Sequence, residues 1–267
     1  MNKATRDRAW SRDSKRNTVF VAVALSLVCS VLVSAAAVYL RPLQERNAER
    51  NRQKIILEVA GLLSDGGSVD EQFRQVEARV VELDTGAYAD DLDPAVFDMR
   101  AAARDPGASA AIPDVEDIAG IGRRPNHATV YLVRPDGELR YIILPVYGYG
   151  LWSTMYGFIA LQSDGNTIAG LQFYEQAETP GLGAEIDNPK WRALWRGKMV
   201  YGDDGAPKIE LIRGAVTATD ESARYQVDGL AGSTLTSRGV TNLLHYWLGE
   251  DGFAPYLRRV TDAEDNS

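Results

Sequence analysis

Residues Thr18 to Leu40 read TVFVAVALSLVCSVLVSAAAVYL, a run without one charged side chain. As a helix rising about 1.5 Å per residue, it reaches roughly 35 Å, enough to cross a hydrocarbon core of about 30 Å. The competing reading is a secretory signal peptide, whose apolar stretch is shorter and ends in a small-residue cleavage site. Ser34 to Ala37 are small, but the run continues through Val38 and Leu40, which favours a retained anchor. Lys3, Arg6, Arg8, Arg12, Lys15 and Arg16 precede it, and Arg41, Arg46, Arg50, Arg52 and Lys54 follow. This balance orients the helix weakly, with the N-terminus in the cytoplasm and the main domain outside. Cys29 reads as a small apolar filler within the span.

The remaining composition is that of a folded protein, 45% apolar and 25% charged over 267 residues. A net charge of -8 is the wrong sign for a protein that grips phosphates of nucleic acid. A single cysteine excludes an internal disulfide, a Cys-ligated zinc site and a self-contained iron–sulfur cluster. His127 and His245 are far apart, so no metal site is predicted. Gly120-x-Gly122, Gly148-x-Gly150 and Gly181-x-Gly183 each lack the third glycine of a dinucleotide fingerprint, and neither a P-loop nor a G-x-S-x-G elbow occurs. The chain therefore shows no catalytic residue set of its own.

The pattern predicts an α+β fold: one N-terminal transmembrane helix, then a mostly antiparallel-sheet domain with flanking helices. Residues 1–17 form the cytoplasmic N-terminus, 18–40 the span, 41–125 a helical and loop region, 126–250 the sheet domain and 251–267 an acidic tail, loose after Val260. Pro42 is placed to kink the exit from the span. Ile55, Ile56, Val59, Leu62 and Leu63 recur at helical spacing, and Val69, Phe73, Val76, Val80 and Leu83 predict a second amphipathic helix. Residues 101–122, rich in Ala, Gly, Pro and Asp, read as loop or linker. From Ala128 the runs ATVYLVR, RYIILPVYG, YGFIALQS and TIAGLQFYEQ read as strands, with turns at Pro135-Asp136-Gly137 and Asp164-Gly165-Asn166. Asp203-Asp204-Gly205 precedes another strand, KIELIRG. Asn188 to Gly197 predicts a short helix, and Ser237 to Leu248 a longer one ended by Gly249.

Two segments stand out from this scaffold. Glu175-Gln-Ala-Glu-Thr-Pro-Gly-Leu-Gly183 closes a strand with a sharp Gly/Pro loop that lets backbone approach a ligand. A plain turn between elements is the blander reading. Val227-Asp-Gly-Leu-Ala-Gly-Ser-Thr-Leu-Thr-Ser237 precedes the long helix, where free N–H groups suit a phosphate. Here the blander reading is a cap by Thr236 or Ser237, with Thr234 lacking anything to activate it.

Asp228 to Thr234, D-G-L-A-G-S-T, resembles the flavinylation motif of FMN-binding domains, D-x-x-[ST]-G-[AS]-[ST]. Ala231 stands where Ser or Thr is usual and Ser233 where Ala is usual; Thr234 fills the acceptor position. Glu178-Thr-Pro-Gly-Leu-Gly183 is similar to the second hallmark of that family. The stretches Leu40 to Asn47, Gln53-Lys-Ile-Ile-Leu, Ala60-Gly-Leu, Gly148 to Gly157 and Asn188-Pro-Lys-Trp191 extend the likeness to the C-type subunit of sodium-translocating NADH:quinone reductases. The G-type subunit of the Rnf complex is the neighbouring alternative; a helical insert between Ile55 and Gly86 favours the former.

The resemblance implies an inner-membrane electron-transport subunit with its main domain in the periplasm. FMN would be joined covalently through its phosphate to Thr234. Electrons would pass from an iron–sulfur centre in neighbouring subunits to the FMN of the B-type subunit. The implied partners are the other members of a six-subunit complex and, during maturation, a flavin transferase that uses FAD. Glu178, Thr179, Leu182 and Gly183 are then expected along the flavin. Gly232, Ser233, Leu235 and Thr236 are expected at its phosphate or ring, and Asp228 in recognition by the transferase. Tyr147, Trp152 and Lys198 are secondary candidates. Against this stands a membrane-anchored binding or assembly domain without flavin, in which Thr234 is an unmodified helix cap.

Overall fold

The computed structural model describes residues 15–64, 66–217 and 219–265. Lys3, Arg6, Arg8 and Arg12, and with them most of the segment assigned to the cytoplasm, lie outside the described residues. The chain divides into two units, Met1–Arg50 and Asn51–Ser267.

The first helix, α1, runs over Lys15–Val59 and crosses both units. Among the described residues it is the one helix long and apolar enough to cross a membrane. Its large apolar side chains from Val19 to Leu43 are exposed, the expected state of a surface whose solvent is lipid. Pro42, placed by the sequence to kink the exit, lies inside this helix, which continues through it. The missing N–H of one proline removes a single bond from a helix of 45 residues, and the turns on either side persist.

In the second unit the chain order is α2 (Val69–Phe73), β1 (Val76–Glu82), α3 (Met99–Arg104), β2 (Ser109–Ala111), β3 (Arg123–Pro125) and β4 (His127–Val133). Then come β5 (Tyr141–Tyr149), β6 (Thr154–Gln162), β7 (Ile168–Glu175), α4 (Pro189–Ala193), β8 (Glu210–Ile212), β9 (Gln226–Asp228), α5 (Thr234–Trp247) and α6 (Ala254–Asp265). Five strands form an antiparallel sheet in the order β1-β4-β5-β6-β7. Strands β2 and β3 make a small antiparallel pair, and β8 lies parallel to β9. The architecture is the α+β, mostly antiparallel one that the sequence predicts.

The central strands read as nearly continuous apolar runs because both faces of the sheet are covered. Val130, Leu132, Ile142, Leu144, Ile159 and Leu161 point to one core, shared with Leu243, Leu244 and Trp247 of α5. The alternate residues Tyr131, Val133, Ile143, Phe158 and Ala160 point to a second core, closed by Ile55, Ile56 and Val59 at the end of α1. The turn between β4 and β5 holds Asp136 at φ 58, a left-handed conformation that Asp tolerates.

Three expectations need correction. The amphipathic helix over Val69 to Leu83 is only the short α2, capped by Ser68 with Glu71, and then β1. Val76 and Val80 are four apart, a spacing that also fits a strand of period two, and pairing with β4 decides it. The tail after Val260 is not loose as far as Asp265: it continues α6, which buries Tyr256, Leu257 and Val260 against the first core. The long helix starts at Thr234, with Ser233 at the N-cap, so Thr236 and Ser237 lie inside its first turn rather than capping it. Gly249 does follow the C-cap, Leu248, but without positive φ. It is instead a close approach, since a Cβ there would lie 2.7 Å from the His245 carbonyl.

Candidate functional site

The two unusual segments meet. The Thr236 hydroxyl, in the first turn of α5, donates to Glu178 Oε2 at 2.5 Å across 58 residues of sequence. Glu178 Oε1 accepts the backbone N–H groups of Leu151 at 2.9 Å and Trp152 at 3.0 Å. The carboxylate is thus satisfied by three donors while its residue is only 4% exposed, which is what a buried charge requires. It also sits at the positive end of the α5 dipole. Glu178 therefore lies beneath the site surface, facing the protein.

The glycines beside it are explained by this carboxylate. A Cβ on Gly150 would lie 2.5 Å from Glu178 Oε1. One on Gly183 would lie 2.8 Å from Glu178 Oε2 and 2.7 Å from Thr236 Oγ1. Neither position has positive φ, so here glycine is needed for room rather than for backbone conformation. Further bonds hold the loop. Ala177 N–H donates to Ser153 Oγ at 2.9 Å, and Glu178 N–H donates to Gln176 Oε1 at 2.6 Å. The Leu182 and Ala184 N–H groups both donate to the Thr179 carbonyl.

The surface above is open. Trp152 is 64% exposed, Leu182 42% and Leu235 52%. The Trp152 indole N–H donates to Thr179 Oγ1 at 3.1 Å, which fixes the ring over the loop. Gly232 has φ 73, and a Cβ on it would approach Leu182 to 3.0 Å, so the turn before α5 and the Gly/Pro loop touch there as well. Thr234 is the first residue of α5 and is exposed. The N–H groups of Thr234, Leu235 and Thr236 have no acceptor within the helix, because they belong to its first turn. Among the described residues, no carboxylate or imidazole is hydrogen-bonded to the Thr234 hydroxyl.

The remaining predicted residues divide. Ser233 is buried, and its N–H donates to the Leu230 carbonyl at 3.1 Å. Asp228 Oδ1 accepts the Val216 N–H at 2.8 Å, while its carbonyl accepts the Trp191 indole at 2.9 Å. Lys198 is not at the loop. Its ammonium donates to the Ala223 carbonyl at 2.7 Å, in a groove shared with Arg196, Arg224 and Asp228. Tyr147 is core: its ring stacks on Tyr156 at 5.3 Å and lies 4.8 Å from Trp247. Burial pushes its phenol above the ordinary range, and neighbouring Tyr156 adds to the shift. Sequence reasoning passed over Gly150 and the Leu151 and Trp152 amides as partners of Glu178, since no local signal links positions almost thirty residues apart.

The site residues fit a flavin phosphate ester. An exposed hydroxyl stands at a helix start, a positive-φ glycine lets the turn pass close, and exposed apolar faces of Leu182, Leu235 and Trp152 suit a planar ring.

A sequence family described as the FMN-binding domain matches residues 150–249. The chain is 49% identical over 258 residues to the C-type subunit of the Na(+)-translocating NADH-quinone reductase of Pseudomonas aeruginosa, covering 95% of this chain and 99% of that protein. It is 44% identical to the protein of the same name from Vibrio alginolyticus, covering 97% and 100%. The crystal structure of Shewanella oneidensis NqrC superposes with a TM-score of 0.75 at 35% identity, over 81% of this chain and 99% of that one. The crystal structure of the C-type subunit of the Na(+)-translocating NADH-quinone reductase from Parabacteroides distasonis gives 0.64 at 27% identity, over 82% and 96%.

Proposed function

The chain belongs to the family of C-type subunits of Na(+)-translocating NADH-quinone reductases, an oxidoreductase complex, and carries its FMN-binding domain; from that premise we propose that Thr234 holds FMN through a phosphoester. When bound, FMN supplies a carrier that takes up and releases electrons, and the protein supplies its position. The observation that carries the reading is that the two segments meet on either side of the exposed Thr234, Glu178 against Thr236 and Leu182 against Gly232.

Each residue has a role in that reading. Thr234 Oγ forms the bond to phosphorus while the FAD pyrophosphate bond breaks and AMP leaves. The hydroxyl proton passes to a base on a separate flavin transferase, in keeping with the lack of a base beside Thr234. The first-turn N–H groups of α5 would hold the phosphate oxygens. Leu182, Leu235 and Trp152 offer the ring an apolar shelf and exclude water from one of its sides. Such an open shelf would hold a flavin weakly by contacts alone, so the covalent bond supplies the retention. Within the complex, the domain relays electrons from an iron–sulfur centre to the FMN of the B-type subunit on the periplasmic side of the inner membrane, with α1 as its anchor.

The test is in-gel fluorescence of the denatured full chain, coexpressed with a flavin transferase, beside Thr234→Ala. Denaturation strips any non-covalent flavin, so a bright wild-type band and a dark variant are expected. A dark wild type sinks the covalent reading; a bright variant moves the attachment elsewhere.

A further inference from the structure

The buried carboxylate beneath the shelf touches neither the acceptor hydroxyl nor the open surface, yet it joins every segment that builds the site. We propose that Glu178 is a positioning residue, whose carboxylate clamps the Leu151-Trp152 turn to the first turn of α5 and so sets how Thr234 and Trp152 are presented. The proposal rests on the reading of Thr234 as flavin acceptor.

The geometry carries it. Glu178 Oε1 fixes two successive backbone N–H groups, and the second of them, at 3.0 Å, belongs to Trp152, whose ring lies on the shelf. Glu178 Oε2 takes the Thr236 hydroxyl at 2.5 Å, two residues beyond the acceptor on the same helical turn. Thr236 is fully buried, so its hydroxyl has no water to turn to. Gly150 and Gly183 are both shaped around the carboxylate, since a Cβ on either would come within 2.8 Å of its oxygens. Only a carboxylate offers acceptors on both sides. The amide of glutamine must aim NH2 either at the two backbone donors or at the Thr236 hydroxyl. The first choice opposes donor to donor, and the second forces that hydroxyl to give up its proton's acceptor.

The experiment follows transfer of flavin from FAD to the purified full chain by a flavin transferase, read as covalent fluorescence against time. Because a small displacement of an acceptor costs rate steeply, Glu178→Gln and Thr236→Val are each expected to slow loading roughly tenfold. Thr236→Ser, which keeps the hydroxyl, should stay within about twofold of wild type. The double variant should be no slower than Glu178→Gln alone, because both remove one shared contact. Hydrogen exchange of the unloaded chain supplies a second readout. The Leu151 and Trp152 amides should exchange faster in Glu178→Gln, while the amides of β5 and β6 keep their protection. Wild-type loading rates in both variants, or equal slowing by Thr236→Ser and Thr236→Val, would overturn the clamp. If the wild type itself takes up no flavin at Thr234, the acceptor reading falls and the clamp falls with it. A wild type that loads at Thr234 beside a Glu178→Gln that loads at the same rate removes the clamp alone.

Discussion

The Gly/Pro loop and the turn before α5 each carry two glycines and several polar side chains, yet the fold uses them in opposite senses. The loop turns its strongest polar group inward: Glu178 is buried and satisfied by three donors. The turn sends Thr236 and Ser237 inward and leaves Thr234 outside, on the helix start. One segment thus supplies shape and the other the exposed hydroxyl proposed above as the flavin acceptor. What separates them is the side each residue faces once α5 docks on the sheet.

That contrast gives graded tests. The greatest effect is expected at the loop's packed glycine. Gly183→Ala drives a Cβ into Glu178 and Thr236, and overpacking of this kind costs about 1 to 3 kcal/mol. Thermal melting of the full chain in detergent should fall accordingly, and flavin loading with it. Thr234→Ala should leave the melting point nearly unchanged while abolishing the label, because its side chain is exposed. A large loss of stability in Thr234→Ala, or none in Gly183→Ala, would break the contrast.

A middle effect is expected at Asp228. Its carboxylate holds the Val216 N–H, so Asp228→Ala should cost about 1 kcal/mol and speed exchange at Val216. If loading also falls in this variant at unchanged exchange near Thr234, Asp228 acts on the transferase as well as on the loop. The smallest effect is expected at Trp152→Phe, which loses the bond to Thr179 on an exposed ring and should change stability by no more than about 0.5 kcal/mol. Its readout is the flavin's fluorescence yield, which should rise or fall with the loss of the indole while the label stays on Thr234.

Much of the domain was legible from order in the chain. Nearly continuous apolar runs from Ala128 onward, separated by turn residues, mark the strands, since successive side chains serve both faces of a covered sheet. Val69 to Leu83 was not legible in the same way. Val76 and Val80, four apart, satisfy helix and strand spacings together, and only the partner β4 distinguishes them. Tyr256, Leu257 and Val260 were hidden by the acidic residues around them, whose charge reads as a solvated tail until α6 finds the core.

By itself, then, the sequence determined the apolar span, the strand-rich domain and the two segments of the site, because these depend on residue types at short separation. Tertiary structure alone decided that Glu178 faces inward, that Gly150 and Gly183 make room for its oxygens and that Thr234 stays outside. These are contacts between residues that neighbour one another only after the sheet has formed and α5 has packed on it. Their partners lie too far apart along the chain for any local pattern to record them.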